Sequence, residues 1–455
     1  MNLEDWAGAP VFIAMALVWT SQTSLAQESL TYDPQAEFTV EQLREDLTFL
    51  RDVLEGNHAA LYRFHDKASF DASFDSVFAR IDGPMTELAF FGLIAPVVAM
   101  IDCVHTRIRP SDSLRAYTRR NDVYLPLDID FVDNRAYIIR NYRDQTPVAV
   151  GSEVVAINGV PVSSLLREFL SSTPSDGHNE THILYWVNRN SHSIFSSALG
   201  YPESYRIELV EPPNAATRVL IVPGMSGSEI ATAVEERGPQ GRMPPLQLEV
   251  IDSLKAAVLT IGTFVSDPAD SFHEFLVTSF AELESRGTQS LIVDVRGNYG
   301  GHPDNSVDLL RHLADSTFTY FAPEVGNELV HPVEPLETAF RGDKYFLIDG
   351  GSFSTTGHFI SIVKYHDLGT LIGQESGGTF ICNDNSMRLT LPNTRIGGRV
   401  ARTTFATAVT GISREGGIQP DHVVKPTVDD LLAGVDVALE RVLALVAEKR
   451  GATDF

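Results

Sequence analysis

The chain has 455 residues, of which 43% are hydrophobic and 21% are charged. These proportions are ordinary for a globular protein, and the length is sufficient for two to four domains with a large core. Its 60 acidic residues outnumber the 35 basic ones, which gives a formal charge of -25. This excess of negative charge disfavours nucleic acid and anionic membrane surfaces as partners.

The first 26 residues are typical of a secretory signal. An apolar run from Gly8 to Trp19 is too short to span a bilayer, and small and polar residues follow it up to Ala26. We therefore expect cleavage after Ala26 and a periplasmic or secreted mature chain, although the residues before the apolar run are acidic rather than basic. No other apolar run is long enough to cross a membrane, so no membrane span is expected in the mature chain.

Residues 27–120 are predicted to form a helical region. Apolar residues recur at helical spacing between Phe38 and Ile108, which indicates a small assembly of amphipathic helices.

Residues 121–211 change to a pattern of short strands. The segment 151–162 looks like the core of a PDZ domain, a module that binds a peptide as an added strand, although the usual carboxylate-binding loop is not evident. The run 178–182, His-Asn-Glu-Thr-His, superficially resembles a zinc-binding helix, but its glutamate is misplaced. We interpret this run as a solvated helix or loop and predict no metal site. Residues 212–245 are predicted to be a linker.

Residues 246–455 alternate strands with helices, which predicts a layered α/β core. One strand, 290–295, breaks into the glycine-rich run Arg-Gly-Asn-Tyr-Gly-Gly, and a second strand, 345–349, ends at two glycines that Ser352 and Ser354 follow. The apolar spacing over 428–449 predicts an amphipathic C-terminal helix.

A serine at such a strand-to-helix turn suits a nucleophile. The turn exposes the hydroxyl, and the first backbone N–H groups of the helix point at any anion that forms beside it. The backbone of Gly300 and Gly301 can approach the same point because no side chain stands in the way. The alternative is that Ser352 or Ser354 only caps the helix.

Four motifs occur in order, at 294–301, 350–356, 373–378 and 416–421. The series resembles the S41 serine peptidases, the family of the C-terminal processing peptidases and the tricorn core. The resemblance implies a Clp/crotonase-like layered catalytic core with Ser354 as the nucleophile. The backbone N–H groups near Gly300, Gly301 and Thr355 are then expected to form the oxyanion hole.

The resemblance also bears on the general base. The processing-peptidase branch has a catalytic lysine about 25 residues beyond the serine, but Thr379 occupies that position and cannot act as a base. The segment 102–107 resembles the Asp-Gly-His-Thr segment of the tricorn-like branch, in which histidine is the base. We therefore assign the base to His105, because imidazole suits proton transfer near neutral pH. His358, one helical turn beyond Ser354, is the second choice.

A histidine base normally needs a group that holds its tautomer. In the tricorn-like branch a glutamate does this through a serine. Glu415 matches that glutamate, while Val104 stands where the serine would be. Either Thr106 or a water connects Glu415 to His105, or Glu415 is a surface carboxylate. The alternative acids are Asp102 and Glu375.

The two cysteines, Cys103 and Cys382, exclude a cysteine-rich scaffold and a four-cysteine zinc site. A disulfide and two buried thiols both fit the sequence. Cys103 is a less favoured nucleophile than Ser354.

These observations predict a serine-type peptidase that acts on peptide or protein substrates through an acyl-enzyme and needs no cofactor. A non-catalytic peptide-binding protein on the same fold, or an esterase, are the alternatives. The sequence leaves the oligomeric state open.

Overall fold

A computed structural model describes residues 32–143, 148–211, 217–237, 245–265 and 271–451. The secretory signal predicted at residues 1–26 lies outside the described residues. Within them, no helix is both long enough and apolar enough to cross a membrane.

The helices of the described residues are α1 (Val40–Asn57), α2 (Lys67–Arg80), α3 (Glu87–Ala99), α4 (Asp112–Asn121), α5 (Val162–Ser172), α6 (Glu180–Arg189), α7 (Ser191–Ala198), α8 (Gly227–Arg237), α9 (Ser271–Arg286), α10 (Pro303–Leu313), α11 (Thr355–Tyr365), α12 (Val428–Ala433) and α13 (Val437–Lys449).

The strands are β1 (Glu37–Phe38), β2 (Met85–Thr86), β3 (Arg107–Arg109), β4 (Val123–Tyr124), β5 (Leu127–Val132), β6 (Arg135–Asn141), β7 (Glu153–Ile157), β8 (Val160–Pro161), β9 (Ser204–Val210), β10 (Thr217–Pro223), β11 (Met225–Ser226), β12 (Leu246–Ile251), β13 (Ala256–Ile261), β14 (Ser290–Asp294), β15 (Phe318–Thr319), β16 (Pro332–Val333), β17 (Asp343–Ile348), β18 (Thr370–Gly373), β19 (Ile381–Asp384), β20 (Met387–Thr390), β21 (Gly397–Val400), β22 (Thr403–Ala406) and β23 (His422–Val423).

A six-stranded sheet in the order β12-β13-β14-β17-β18-β23 forms the centre of the C-terminal region, and its strands are parallel except for β12. Every residue of β13 and β14 is buried, as a parallel sheet between two helical layers requires. Alternate residues face opposite layers, so Leu259 packs with α9, α10 and α11 while Val258 packs with α13. The predicted α/β character is confirmed, while the bounds 246–455 stay a prediction.

A second sheet, in the order β10-β9-β7-β6-β5, is antiparallel and packs against α5, α6 and α7. All seven residues of β10 pair with β9. Within the predicted linker 212–245, the β-branched run Thr217–Pro223 is therefore an edge strand rather than loose chain. The linker bounds stay a prediction. The PDZ-like character of 121–211 stays a prediction.

The predicted N-terminal helical region contains α1, α2 and α3, which share one apolar cluster, so its helical character is confirmed. This cluster also includes Leu389 and Val400 of the β20–β21 hairpin, which belongs to the C-terminal region. Strand β3 pairs with β21, with Ile108 opposite Gly398. This pairing carries the segment 102–107 to the edge of the C-terminal core.

The amphipathic segment 428–449 is two helices rather than one. Gly434 has φ 68° and ends α12 in the left-handed conformation, which glycine adopts readily. Asp436 then begins α13 by accepting a hydrogen bond from the amide of Leu439, and its carboxylate also binds the guanidinium of Arg296. The single predicted helix is corrected to a pair.

Candidate active site

The candidate site forms where two neighbouring parallel strands, β14 and β17, reach the same edge of the sheet. The carboxylate Oδ1 of Asp349 accepts hydrogen bonds from the amides of Gly297 at 2.8 Å and Gly351 at 2.9 Å. One side chain therefore ties the turn after β14 to the turn after β17. Burial raises the pKa of Asp349, and the hydrogen bond from Gly297 is the largest influence that opposes this rise.

Ser354 stands directly before α11 with φ 57° and ψ -123°. A serine rarely adopts this conformation, so the surrounding structure must hold it. A β-carbon at Gly300 would lie 2.9 Å from Cβ of Ser354, and one at Gly378 would lie 2.9 Å from its amide nitrogen. By contrast, the buried Ser352 hydroxyl donates to the carbonyl of Val295 at 2.8 Å, which is a structural role.

His105 approaches Ser354 from the N-terminal region. Its Nε2 lies 3.4 Å from Oγ of Ser354, and its ring stacks on Phe353 with centroids 5.0 Å apart. The next residue, Thr106, accepts a hydrogen bond from the amide of Ala401 at 3.0 Å, which anchors this loop to the C-terminal region. The structure thus brings the predicted nucleophile and base within hydrogen-bond reach.

An aspartate that the sequence analysis missed lies behind His105. Oδ1 of Asp176 accepts a hydrogen bond from the amide of Val104 at 2.9 Å. Its Oδ2 and the Nδ1 of His105 are both buried, and neither has a hydrogen-bond partner among the described residues. Burial raises the pKa of Asp176, and the charge of His105 is the largest influence that opposes the rise. The run Pro-Ser-Asp-Gly around Asp176 has the composition of a turn, so it carried no catalytic signal.

A second missed aspartate, Asp384, lies on the other side of the imidazole. Its Oδ2 is 3.8 Å from Nε2 of His105, the same nitrogen that faces Ser354. Asp384 can therefore stabilise a positively charged ring, but it does not face Nδ1.

The predicted acid Glu415 has a side chain that is 77% exposed, and its carboxylate lies 3.9 Å from Nε2 of His178. Among the described residues it makes no hydrogen bond or ion pair with His105. The hydroxyl of Thr106, one proposed bridge, accepts a hydrogen bond from the amide of Ala401, and among the described residues it has no hydrogen bond with Glu415 or His105. A role for Glu415 at His105 stays a prediction.

The alternative acids also have other partners. Glu375 accepts a hydrogen bond from the amide of Gly417 at 2.8 Å. Asp102 lies 3.1 Å from Nε2 of His65 and 3.4 Å from Nδ1 of His178. Within the described part of the chain, neither carboxylate makes a hydrogen bond or ion pair with His105.

Two of the three predicted oxyanion donors are available. The amide of Gly300 donates to Oδ1 of Asn298 at 2.8 Å, so this part of the prediction is corrected. The amides of Gly301 and Thr355 have no hydrogen-bond acceptor in the described ranges. The hydroxyl of Thr355 donates to the carbonyl of Gly301 at 2.7 Å and holds the two residues together.

The competing residues are occupied or buried. The hydroxyl of Thr379 donates to the carbonyl of Ile381. The ring of His358 contacts Cys382 rather than the Ser354 hydroxyl, and burial lowers its pKa to about 4. Burial also raises the pKa of Cys103 to about 12, which makes it a poor nucleophile. Both cysteines are free thiols, so the disulfide alternative is not realised.

The run 178–182 is not wholly solvated, as the sequence had suggested. His182 is buried in α6, and its Nδ1 donates to the carbonyl of Gly350 at 2.9 Å. Helix α6 can approach so closely because Gly350 has no side chain, since a β-carbon there would lie 2.4 Å from the carbonyl oxygen of Thr181. This contact packs the second sheet's helices against the candidate site.

A layered α/β core with a partly accessible serine at a strand-to-helix turn is typical of a serine-type hydrolase. The sequence model of peptidase family S41 matches residues 255–424, which include Ser354. Residues 255–424 are thus similar to peptidase family S41, and this similarity indicates a hydrolase of the serine peptidase class.

Solved structures show the same fold over most of the chain. Mature CPAF aligns with a TM-score of 0.64 at 15% identity, covering 90% of this chain and 98% of that one. CPAF complexed with lactacystin aligns with a TM-score of 0.63 at 16% identity, with coverages of 90% and 98%. A comparison with curated proteins finds no match.

Proposed function

We propose that the chain cleaves peptide bonds through an acyl-enzyme, with Ser354 as the nucleophile and His105 as the general base. The observation that supports this most strongly is the 3.4 Å approach of Nε2 to Oγ at the start of α11. A looser distance than in a bound complex is normal before substrate arrives.

The reaction begins when Oγ of Ser354 attacks the carbonyl carbon and Nε2 of His105 takes the hydroxyl proton. The carbonyl oxygen becomes negative and accepts hydrogen bonds from the amides of Gly301 and Thr355. When the tetrahedral intermediate collapses, the C–N bond breaks and Nε2 returns the proton to the departing amine. Water then attacks the acyl-enzyme by the same steps and releases the carboxylic acid product.

The proton transfer requires a His105 ring that presents an unprotonated Nε2 to Ser354. This tautomer carries its proton on Nδ1, which needs an acceptor. Asp176 offers an unused acceptor, because its Oδ2 is buried without a partner among the described residues, and its Oδ1 is fixed by the amide of Val104. We assign Asp176 the role of positioning the His105 ring. It acts through a direct hydrogen bond after a small closing movement, or through one bridging water.

The surroundings of the oxyanion donors favour substrates with apolar side chains. Tyr299 directly precedes Gly300, is 38% exposed and packs on Trp186 with ring centroids 5.0 Å apart. The exposed ring of Tyr299, beside the reacting carbonyl, offers apolar contact to a neighbouring substrate side chain.

Several expectations from sequence accompany this proposal. A Clp/crotonase-like core, peptide binding by a PDZ-like segment at 121–211, and a periplasmic or secreted location each remain predictions. All three are compatible with an enzyme that meets peptide or protein substrates outside the cytoplasm.

Cleavage of a mixed peptide library tests the proposed function. New peptide termini, detected by mass spectrometry, should appear with the wild type and be absent with Ser354→Ala. Peptide binding without cleavage by the wild type would favour the binding-protein alternative. Turnover of activated esters alone, with no peptide cleaved, would favour an esterase.

A further inference from the structure

Three side chains of types that can bind a metal lie close together beside the loop that carries His105. His65 follows α1, Asp102 follows α3 and His178 precedes α6. Nε2 of His65 is 3.1 Å from Oδ2 of Asp102, and Nδ1 of His178 is 3.4 Å from the same oxygen. The three ligand atoms all lie within 4.8 Å of one another.

The two separations from Oδ2 of Asp102 suit a tetrahedral metal site. Zinc bonds to nitrogen and oxygen of about 2.0–2.1 Å place neighbouring ligand atoms about 3.4 Å apart. Two imidazoles and one carboxylate suit zinc and similar transition metals better than calcium or magnesium, which prefer oxygen ligands alone. The His178 side chain is 54% exposed, which leaves room for a water molecule as a fourth ligand.

The outer surroundings of the cluster also resemble those of a metal site. If Nδ1 of His178 binds the metal, its Nε2 carries the proton and faces Oε2 of Glu415 at 3.9 Å. A carboxylate behind a ligating histidine is the common arrangement, because it fixes the tautomer and the ring orientation. The backbone of the same two residues is joined by a hydrogen bond of 2.8 Å from the amide of His178 to the carbonyl of Glu415.

We propose that His65, Asp102 and His178 bind one divalent transition-metal ion, with zinc as the best match. The ion would join the segments that hold the base loop in place. The amide of Gly177 already donates to the carbonyl of Asp102 at 3.2 Å, and Asp176 binds the amide of Val104. A metal here strengthens that connection without touching Ser354, so the site is independent of the proposed chemistry.

Metal titration of untagged protein, first stripped with a chelator, tests this site. We expect one equivalent of Co²⁺ to bind, to give the visible absorption of tetrahedral cobalt, and to be displaced by Zn²⁺. His65→Gln and His178→Gln should each weaken binding by about 100-fold or more, and Glu415→Gln by about tenfold.

His273→Gln is the matched control. Nδ1 of His273 lies 2.8 Å from a carboxylate oxygen of Asp308, but the pair has no third ligand within the described residues, so this variant should bind metal like the wild type. Ser354→Ala should also bind normally, which separates this proposal from the proposed catalysis. Zn²⁺ should raise the unfolding temperature of wild type and Ser354→Ala, but not of the His65 and His178 variants. Absence of saturable binding, or binding that both variants retain, would overturn the proposal.

Discussion

Ser354 combines a reactive position with a backbone conformation that serine disfavours. Its φ of 57° and ψ of -123° are accessible to glycine at little cost, whereas a residue with a β-carbon is strained by about 1–3 kcal/mol. The neighbouring glycines and the hydrogen bond from the amide of Phe353 to the carbonyl of Asn298 hold the turn in this state.

Two substitutions at Ser354 separate strain from chemistry. Both Ser354→Ala and Ser354→Gly should abolish hydrolysis. In urea unfolding, the glycine variant should be more stable than the alanine variant by about 1 kcal/mol, because relief of strain exceeds the entropic cost of glycine. Equal stabilities, or a less stable glycine variant, would show that the turn stores no strain.

Asp176→Asn tests the positioning role of this carboxylate. The amide oxygen can still accept from Val104, but the side chain loses the negative charge that favours a protonated His105. We expect kcat to fall by about 100-fold or more with KM little changed, and Asp176→Glu to recover part of the loss.

Asp130→Asn is the control for loss of an aspartate that is partly buried and has a raised pKa. Burial raises the pKa of Asp130 to about 7, but this residue lies on β5, in the second sheet. Its substitution should leave kcat within a few-fold of wild type. A kcat for Asp176→Asn close to that of the control would contradict the assignment.

At the scale of elements, the turns after β14 and β17 depend on glycines that approach other backbone atoms. Gly300 has φ 95°, and a β-carbon there would lie 2.8 Å from the amide nitrogen of Thr355 and 2.9 Å from Cβ of Ser354. Gly287, between α9 and β14, has φ 61° but no atom within 4 Å of the corresponding position. Alanine substitutions at Gly300 and Gly287 therefore separate the effect of steric crowding from the effect of backbone strain.

Gly300→Ala should lower kcat/KM by about 100-fold, because displacing the start of α11 misplaces both the hydroxyl and an oxyanion donor. Gly287→Ala should lower the free energy of unfolding by about 1 kcal/mol and leave kcat/KM unchanged. If the two variants have the same activity, the close approach at Gly300 is not needed for catalysis.

Elements with strong local signals were predictable. The buried runs of β13 and β14 and the helical spacing of α1 to α3 appear directly in the residue pattern. The helix break at Gly434 could have been found from its glycine, but the apolar spacing on both sides outweighed it. Strand β10 was missed because an edge strand between glycine- and proline-rich stretches has few residues to identify it.

Residues of the site could be predicted only where the order of the sequence motifs identified them. Ser354 and His105 follow from the family resemblance, whereas Asp176 and Asp384 lie in segments without a motif. Their positions depend on contacts between distant parts of the chain, such as the bond from Val104 to Asp176. The engagement of the Gly300 amide by Asn298 likewise depends on a side-chain rotamer that sequence does not specify.

At the scale of the whole molecule, buried neutral histidines predict how stability depends on pH. Burial lowers the pKa of His58, His182 and His358 to about 4. Their unfolded forms titrate near pH 6.5, so the unfolded chain binds protons first as the pH falls. Their contribution to stability is complete above about pH 6.5 and is lost progressively between about pH 6.5 and pH 4.

His182→Asn isolates one of these histidines, because the asparagine amide can still donate to the carbonyl of Gly350 without titrating. Positive charge on His105 and Arg107 further opposes protonation of His182. The stability advantage of wild type over the variant should shrink by up to about 3 kcal/mol between pH 7 and pH 4. Urea unfolding at several pH values measures the difference in free energy of unfolding between wild type and the variant. A difference that does not vary with pH would contradict the prediction.

The whole account depends on two residues 249 positions apart in the chain meeting at one edge of the sheet. Pairing of β3 with β21 and packing of the β20–β21 hairpin on α1 to α3 create that meeting. The N-terminal helices are therefore part of the catalytic unit that we propose.

The most direct test is the site and rate of labelling by a fluorophosphonate, followed by intact mass and peptide mapping. We predict one label per chain, on Ser354, no label on Ser354→Ala, and labelling of His105→Gln at least about 100-fold slower than wild type. A label on another residue, or equal rates in wild type and His105→Gln, would contradict activation of Ser354 by His105.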